Sequence, residues 1–240
     1  MRSAWTNTWI CVRKEAICEF RAKHGLLASA LFGFMSVVAI SIATDTNLLP
    51  PAVAAGILGI ILIFSGIVSV PRIFLSEDDH GTLDLYRTWV NPGQIVLGKM
   101  IFASILQVMT ATVLSGLFVV LADLQVTNVT IFLLSVPLLG AGVATCLSLA
   151  SMFVIGASNR WILVGVISMP LLFPLVFLSV GALRVAFGEG STSGAYSNLV
   201  ALLAYTVVPL GVSFLLGETL WGQQRGPVSG VEHVHNEHQE

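Results

Sequence analysis

The sequence predicts an all-α integral membrane protein with six transmembrane helices, an N-terminal interfacial amphipathic helix, and a short cytoplasmic helix between spans two and three. Six apolar runs contain no Asp, Glu, Lys or Arg. Each has about the 20 residues that a helix needs to cross the hydrocarbon core. Only 10% of the 240 residues are charged, against roughly 25% in a soluble domain. The runs are Gly25–Thr44, Leu48–Val70, Met100–Ala122, Ile131–Gly156, Trp161–Leu183 and Asn198–Gly217.

The distribution of basic residues predicts the orientation of these spans. Ten of the 11 Lys and Arg residues precede span one, follow span six or lie in the loops of the same side, and Arg184 is the exception. By the positive-inside rule both termini face the cytoplasm. The first run is longer than a signal-peptide core and about two dozen residues precede it, so we expect a retained span. Little chain remains for a soluble catalytic or nucleotide-binding domain.

The segment before span one reads as an amphipathic helix over residues 5–23. Its basic residues lie away from one apolar and aromatic side, which suits a helix in the membrane interface, and a plain solvated leader is the alternative. The polar tail over 218–240 contains three histidines, and we expect it to be solvated rather than metal-binding. The apolar side consists of Trp5, Trp9, Val12, Ala16 and Phe20.

The spans lack the groups that catalysis or ion coupling needs. No acid, base or histidine lies within them, so energy for any transport has to come from another polypeptide. Span three contains Gln107, Thr110 and Thr112, residue types that line pathways but also make ordinary helix contacts. Pro170 and Pro174 predict a kinked or broken span five, either mobile or static.

The second loop, over residues 71–99, contains the most distinctive pattern. An acidic cluster at residues 77–79 precedes Gly81, which permits a sharp turn, and residues 82–90 then predict a helix that ends before Pro92. This helix has apolar and aromatic residues on two adjoining faces, so the membrane surface or a partner protein has to cover it. The alternative is a tight connection folded against its own bundle. These residues are Leu83, Leu85, Tyr86, Trp89 and Val90.

The sequence at the end of this loop resembles the motif of a phosphate-binding P-loop. Gly93, Gly98 and Lys99 have the right spacing, but Met100 replaces the hydroxyl residue that holds magnesium, and a membrane span follows. We therefore reject nucleotide binding by this segment and expect Lys99 to act as a cytoplasmic anchor of span three.

These motifs together resemble the membrane subunits of ATP-driven ABC-2 exporters. The resemblance rests on six spans, the motif Asp79-x-Gly81-Thr82-Leu83-Asp84-Leu85, then Pro92, then Leu97-Gly98-Lys99. Within that class the chain most resembles the CcmB family of cytochrome c maturation, through Arg72-x-Phe74 and the proline-containing stretch 169–177. The similarity covers most of residues 5–217. Asp84 stands where that family often has Glu.

The resemblance implies a permease domain over 25–217 in a bacterial inner membrane. It implies as partners an ATP-binding subunit, a second copy of the chain and a haem-handling membrane subunit. ATP would be hydrolysed in the partner, with haem as possible cargo or a haem-loaded chaperone released. We expect no catalytic residue, bound cofactor, metal or nucleic acid in this chain, and no stable haem ligation by His24 or His80. An exporter of a lipid, glycan or drug, or a non-transporting scaffold, remains open. The implied ATPase-coupling residues are Glu77, Asp79, Gly81, Thr82, Leu83, Asp84, Leu85, Tyr86, Trp89 and Pro92.

Overall fold

The protein forms a bundle of α-helices. A computed structural model describes residues 4–22, 24–44, 49–79, 92–155, 157 and 159–222. All regular structure in these ranges is helical, in seven helices. They are α1 (Ala4–Ala22), α2 (His24–Thr44), α3 (Pro51–Asp79), α4 (Pro92–Leu121), α5 (Val129–Phe153), α6 (Arg160–Ala186) and α7 (Thr192–Gly222).

Helices α2 to α7 correspond to the six predicted spans. Each contains an apolar stretch long enough to cross a bilayer by length and composition. The chain is therefore a multi-pass membrane protein, and the predicted fold class is confirmed. Large apolar side chains such as Ile42, Val113 and Phe173 lie on the outer surface of the bundle, 69–76% exposed. Lipid tails are as apolar as these side chains, so a bilayer accommodates such a surface.

Helix α5 lies at the centre of the bundle. It packs against α3, α4, α6 and α7, and every residue from 142 to 152 is buried. Small residues permit the close approach of its neighbours: a methyl group at Gly142 would lie 2.3 Å from Leu175 Cδ1 of α6. Helix α2 packs against α3 and α4 at the edge of the bundle.

The amide of Gln107 ties α4 to α3 within the apolar interior. Its Nε2 donates to the Leu62 carbonyl over 2.9 Å, and Ser69 Oγ donates to its Oε1 over 3.4 Å. A methyl group at Gly66 would lie 3.2 Å from Gln107 Nε2 and 2.5 Å from Val143 Cγ1, so this glycine makes the approach possible. Of the polar residues singled out in span three, this amide bonds across helices.

The two threonines that follow bond within their own helix. Thr110 and Thr112 donate to the carbonyls four residues earlier, Leu106 and Val108, over 3.0 and 2.8 Å. Such back-bonding satisfies a hydroxyl in a membrane helix without a partner helix. These contacts account for both threonines as ordinary helix contacts.

Helix α6 continues unbroken through Pro170 and Pro174. Neighbouring helices approach its backbone at this level: Tyr205 Oη of α7 donates to the Leu171 carbonyl over 2.8 Å. Cys146 Sγ of α5 donates weakly to the same carbonyl over 3.9 Å. These two bonds tie α6 to α7 and α5 beside the two prolines.

The far end of the bundle, formed by residues 122–128 and 187–191 with the start of α3, is tied together by polar contacts. Asn128 Nδ2 donates to the Val185 carbonyl over 3.1 Å. Glu189 pairs with Arg184, and its Oε2 accepts the Ala52 amide over 3.1 Å. A carboxylate at the first amides of a helix is favourable because those N–H groups lack intrahelical partners. Arg184, the exceptional basic residue of the sequence pattern, thus belongs to a local ion pair.

Candidate functional site

The candidate site lies at the opposite end, where α3 ends and α4 begins. Residues 80–91 fall outside the described ranges, and with them the predicted helix over 82–90 and most of the predicted coupling residues. Glu77 and Asp79 lie in the last turn of α3, and Pro92 is the first residue of α4, where its fixed φ suits a helix start. We call residues 71–79 of α3 and 92–99 of α4 the loop stems, and this end of the bundle the loop end.

Both stems are helical, so the connection between α3 and α4 is shorter than the 71–99 loop expected from hydropathy. The charge of Arg72 ended the apolar run in the sequence, but its side chain is exposed while those around it are buried. Ile73, Phe74 and Leu75 are 4%, 0% and 0% exposed. Burial of these side chains favours continuing the helix past the charge.

The α3 stem is fixed against the bundle core. Leu75 packs in a cluster with Ala150 near the end of α5, Val154 directly after that helix, and Val164 from the start of α6. The stem therefore belongs to the packed part of the protein, and the segment over 80–91 starts from a well-supported helix.

Lys99 joins the two stems from the interior. Its side chain is 1% exposed, and its Nζ donates to the Ile73 carbonyl of α3 over 2.7 Å. The same Nζ lies 3.2 Å from Glu15 Oε1 and 5.7 Å from the centre of the Phe74 ring. The expectation that Lys99 would anchor the span at the membrane surface is wrong. The ammonium turns inward because a carbonyl, a carboxylate and a ring face there replace its hydration.

The carboxylate of Glu15 brings α1 into this junction. Its Oε1 also accepts from Lys14 Nζ over 2.9 Å, so one oxygen faces two ammonium groups. Buried ion pairs gain little over apolar packing, but removing one partner costs about 3–5 kcal/mol because the other charge stays buried. The pair therefore makes the position of α1 depend on that of Lys99.

The face of α1 that packs on the bundle includes only part of the apolar side that the sequence assigns to the membrane interface. The helix itself is confirmed, but Trp9 is 65% exposed while Glu15 is 8% exposed, and the side chains of Trp5 and Phe20 are outside the described set. Apolar residues therefore occur on two sides of α1, and the described part of the bundle covers one of them while Trp9 lies exposed on the other. The side toward α4 includes Thr8, Cys11, Val12 and Glu15.

The glycines of the P-loop-like stretch are explained by close helix packing. A methyl group at Gly98 would lie 2.6 Å from Cys11 Cβ and 3.2 Å from the Thr8 carbonyl oxygen, so α1 lies directly on α4. A methyl group at Gly217 of α7 would lie 3.3 Å from Gly93 Cα. The stretch is helical from Pro92 onward, whereas phosphate-binding glycines form a loop before a helix.

A second acidic residue of α1 lies where three helices converge. A methyl group at Gly25 of α2 would lie 2.7 Å from Glu19 Oε1 and 3.8 Å from Arg72 Cδ of α3. Sequence reasoning missed both Glu15 and Glu19. Their four-residue spacing on an amphipathic helix was the available signal, but it does not reveal a partner such as Lys99, which lies 84 residues after Glu15.

The same region of chain matches a known family. The family model described as CcmB protein matches residues 6–216, a range that begins in α1, includes both stems and ends in α7. The chain belongs to the CcmB family. It is also similar to the protein described as Heme exporter protein B of Pseudomonas aeruginosa strain PAO1, with 24% identity over 211 residues that cover 85% of this chain and 93% of that protein.

Membership of the CcmB family confirms the resemblance inferred from the loop and span-five motifs. The matched range includes α1, so the N-terminal helix is part of what this CcmB-family chain shares with its relatives. The stems, α1 and the buried Lys99 therefore form the candidate functional site of a membrane protein of this family.

Proposed function

We propose that this CcmB-family chain is the membrane subunit of an ATP-binding-cassette exporter that serves cytochrome c maturation. It would couple ATP hydrolysis in a separate subunit to haem export or to the release of a haem-loaded chaperone. Family membership and similarity to Heme exporter protein B support this proposal. We assign no catalytic step to the chain itself, and we propose haem only as cargo.

The observation that carries the proposal is the construction of the loop end. Residues 80–91 connect two helices that are packed into the bundle and tied to each other by the Lys99–Ile73 hydrogen bond of 2.7 Å. A force applied to the connecting segment would act on both helices and on the core behind them. Packed interiors transmit such strain because they have low compressibility.

The connecting segment supplies the surface for the partner. Its predicted helix has apolar and aromatic residues on two faces, as expected for a helix seated in a groove of another protein. We propose that the acidic cluster and this helix dock on the ATP-binding subunit, through the ten coupling residues inferred from the sequence.

The remaining assignments follow from the sequence pattern and the family. We propose a second copy of the chain and a haem-handling membrane subunit as further partners. Both termini would be cytoplasmic in a bacterial inner membrane, as the basic residues predict. The domains would be an interfacial helix over 1–24, the permease over 25–217 with its coupling loop, and a polar tail over 218–240.

The proposal is tested by placing a charge on the coupling helix. Leu83→Asp and Tyr86→Asp are expected to lower the yield of c-type cytochromes at least tenfold, because a central apolar anchor of an interface contributes roughly 2 kcal/mol or more. Leu83→Met, which conserves volume and apolarity, serves as the matched control. Membrane abundance of each variant is measured in parallel, with co-purification of the ATP-binding subunit.

A normal cytochrome yield in both Asp variants, at normal abundance, would refute the coupling assignment. Co-purification of an ATP-binding subunit with a transport phenotype unrelated to cytochromes would refute the cytochrome-maturation assignment. The Leu83→Met variant is expected to match the unmodified chain in both measurements.

A further inference from the structure

We infer that Lys99 and Glu15 are positioning residues that clamp α1 to the two loop stems, so that three helices respond together when the coupling segment moves. The inference rests on the proposed function, since it assumes that a partner acts on residues 80–91. It assigns a role in coupling to an ion pair and to the N-terminal helix.

The first part of the clamp is the link between the stems. Lys99 lies in the α4 stem and its Nζ donates to the backbone of the α3 stem at Ile73 over 2.7 Å. A bond to a carbonyl fixes the backbone itself and does not depend on the rotamer of a second side chain. The stems on either side of the coupling segment are therefore held at a set separation.

The second part is the attachment of α1. Glu15 Oε1 lies 3.2 Å from the same Nζ, in a site where Lys99 is 1% exposed and the Glu15 side chain 10%. An ammonium has three donors and no acceptor, so one group can serve the carbonyl and the carboxylate at once. Because the charge is buried, separating α1 from α4 leaves it without its carboxylate, and the two helices resist separation.

The packing around the pair leaves little freedom for independent motion. Gly98 precedes Lys99, and a methyl group on it would lie 2.6 Å from Cys11 Cβ of α1. Val12, 7% exposed, is part of the same buried core as Val96 and Met100 of α4. Movement of the α4 stem would therefore carry α1 with it.

The side of α1 that faces away from α4 is apolar and exposed, and it suits contact with the membrane. Trp9, Ile10 and Ile17 are 65%, 47% and 50% exposed. A tryptophan with neighbouring isoleucines suits the membrane interface, where amphipathic rings reside. When the stems are displaced, α1 would therefore move with them while its apolar side stays in the membrane interface. The displacement would not be taken up by bending of α4 alone.

The test separates the energy of the pair from its role in coupling. The double variant Glu15→Gln/Lys99→Met removes both charges of the pair and the bond to Ile73, and it leaves Lys14, the other ammonium beside Glu15, whose side chain is 29% exposed to solvent. The matched control is Arg184→Met/Glu189→Gln, which removes the ion pair at the far end. Vesicles from the native host carrying each full-length chain are measured for c-type cytochrome formed per ATP hydrolysed.

We expect the Glu15/Lys99 double variant to form about tenfold less cytochrome per ATP at near-normal abundance, as for an interaction of about 1.4 kcal/mol. The far-end variant is expected to keep the unmodified ratio. Amide hydrogen exchange of the purified full-length chain in lipid nanodiscs is expected to be faster over residues 4–22 in the first variant and unchanged in α5. An unchanged ratio and unchanged exchange would overturn the inference.

A conservative variant covers the case in which the double variant does not accumulate. Glu15→Asp keeps the charge and withdraws it by one methylene, and we expect an intermediate loss of cytochrome per ATP with faster exchange in α1. If this variant forms the normal amount of cytochrome per ATP although amide hydrogen exchange in α1 is faster, the pair has only a structural role. That result would overturn its role in coupling. If Leu83→Asp loses function while the clamp variants form a normal amount of cytochrome per ATP, the clamp is rejected and the proposed function is retained. If Leu83→Asp and Tyr86→Asp both function normally, the proposed function itself is rejected.

Discussion

Replacing Gly98 by alanine tests the docking of α1 on α4. A methyl group there would lie 2.6 Å from Cys11 Cβ and 3.2 Å from the Thr8 carbonyl oxygen. Carbon atoms in contact lie about 3.5–4.0 Å apart, so α1 has to move outward by about 1 Å. The obstacles are a Cβ atom and a backbone oxygen, so rotation of a side chain does not relieve the contact.

The same displacement acts on the ion pair. Glu15 Oε1 and Lys99 Nζ are 3.2 Å apart, and an outward shift of about 1 Å takes them beyond ordinary hydrogen-bond distance. Overpacking of this kind costs about 1–3 kcal/mol. The gain of helix propensity from Gly to Ala, about 1 kcal/mol, offsets part of it.

Gly116→Ala provides the matched control on the same helix. Among the described residues, no atom outside its own helix lies within 4 Å of a methyl group at Gly116, so only the gain in helix propensity applies. The two variants are expected to differ in free energy of unfolding by about 1–3 kcal/mol, with Gly98→Ala the less stable. Thermal or denaturant unfolding of the purified chain in mild detergent measures this difference, and hydrogen exchange over residues 4–22 locates it. Equal stability and equal exchange in the two variants would show that α1 does not lie on α4 at this glycine.

Two further predictions concern the interior of the bundle. Tyr205→Phe removes the hydroxyl that donates to the Leu171 carbonyl, and we expect a loss of about 0.6 kcal/mol, the average for such bonds in membrane proteins; unchanged unfolding in detergent would show that this bond does not stabilise α6. Gly66→Ala introduces a methyl group 2.5 Å from a neighbouring side chain, and we expect a loss of about 1–3 kcal/mol. A methyl group at Gly56 on the same helix meets no atom of the described residues within 4 Å. A Gly56→Ala variant no more stable than Gly66→Ala would therefore contradict the close packing of α3 on α5 at Gly66.

The sequence determined the membrane class and the six spans because both depend on local composition. A helix that crosses a bilayer satisfies its own backbone and needs about 20 apolar residues, whichever helix it contacts. The amphipathic pattern also predicted α1, and the motifs of the second loop, together with the proline-containing stretch 169–177 of span five, indicated the CcmB family. Each of these features depends on residues that lie near one another in the sequence.

The ends of α3 and α4 were less predictable. Hydropathy placed the end of the second span at Val70, but the helix continues to Asp79 because Ile73, Phe74 and Leu75 are buried. A charged residue is expected to be solvated, and Arg72 is solvated because it lies on the exposed side of a helix whose other sides are buried at this level. Periodicity alone does not say which neighbours cover the other side.

Only the tertiary structure decided the role of Lys99. In the sequence it is the basic residue before a span, a position that usually faces the membrane surface. In the fold, the Ile73 carbonyl and the Glu15 carboxylate lie within reach of its Nζ, at 2.7 and 3.2 Å. Whether a lysine points to water or inward depends on the partners that replace its hydration. Those partners come from two other helices, distant in sequence, and their positions are set by the packing of the whole loop end.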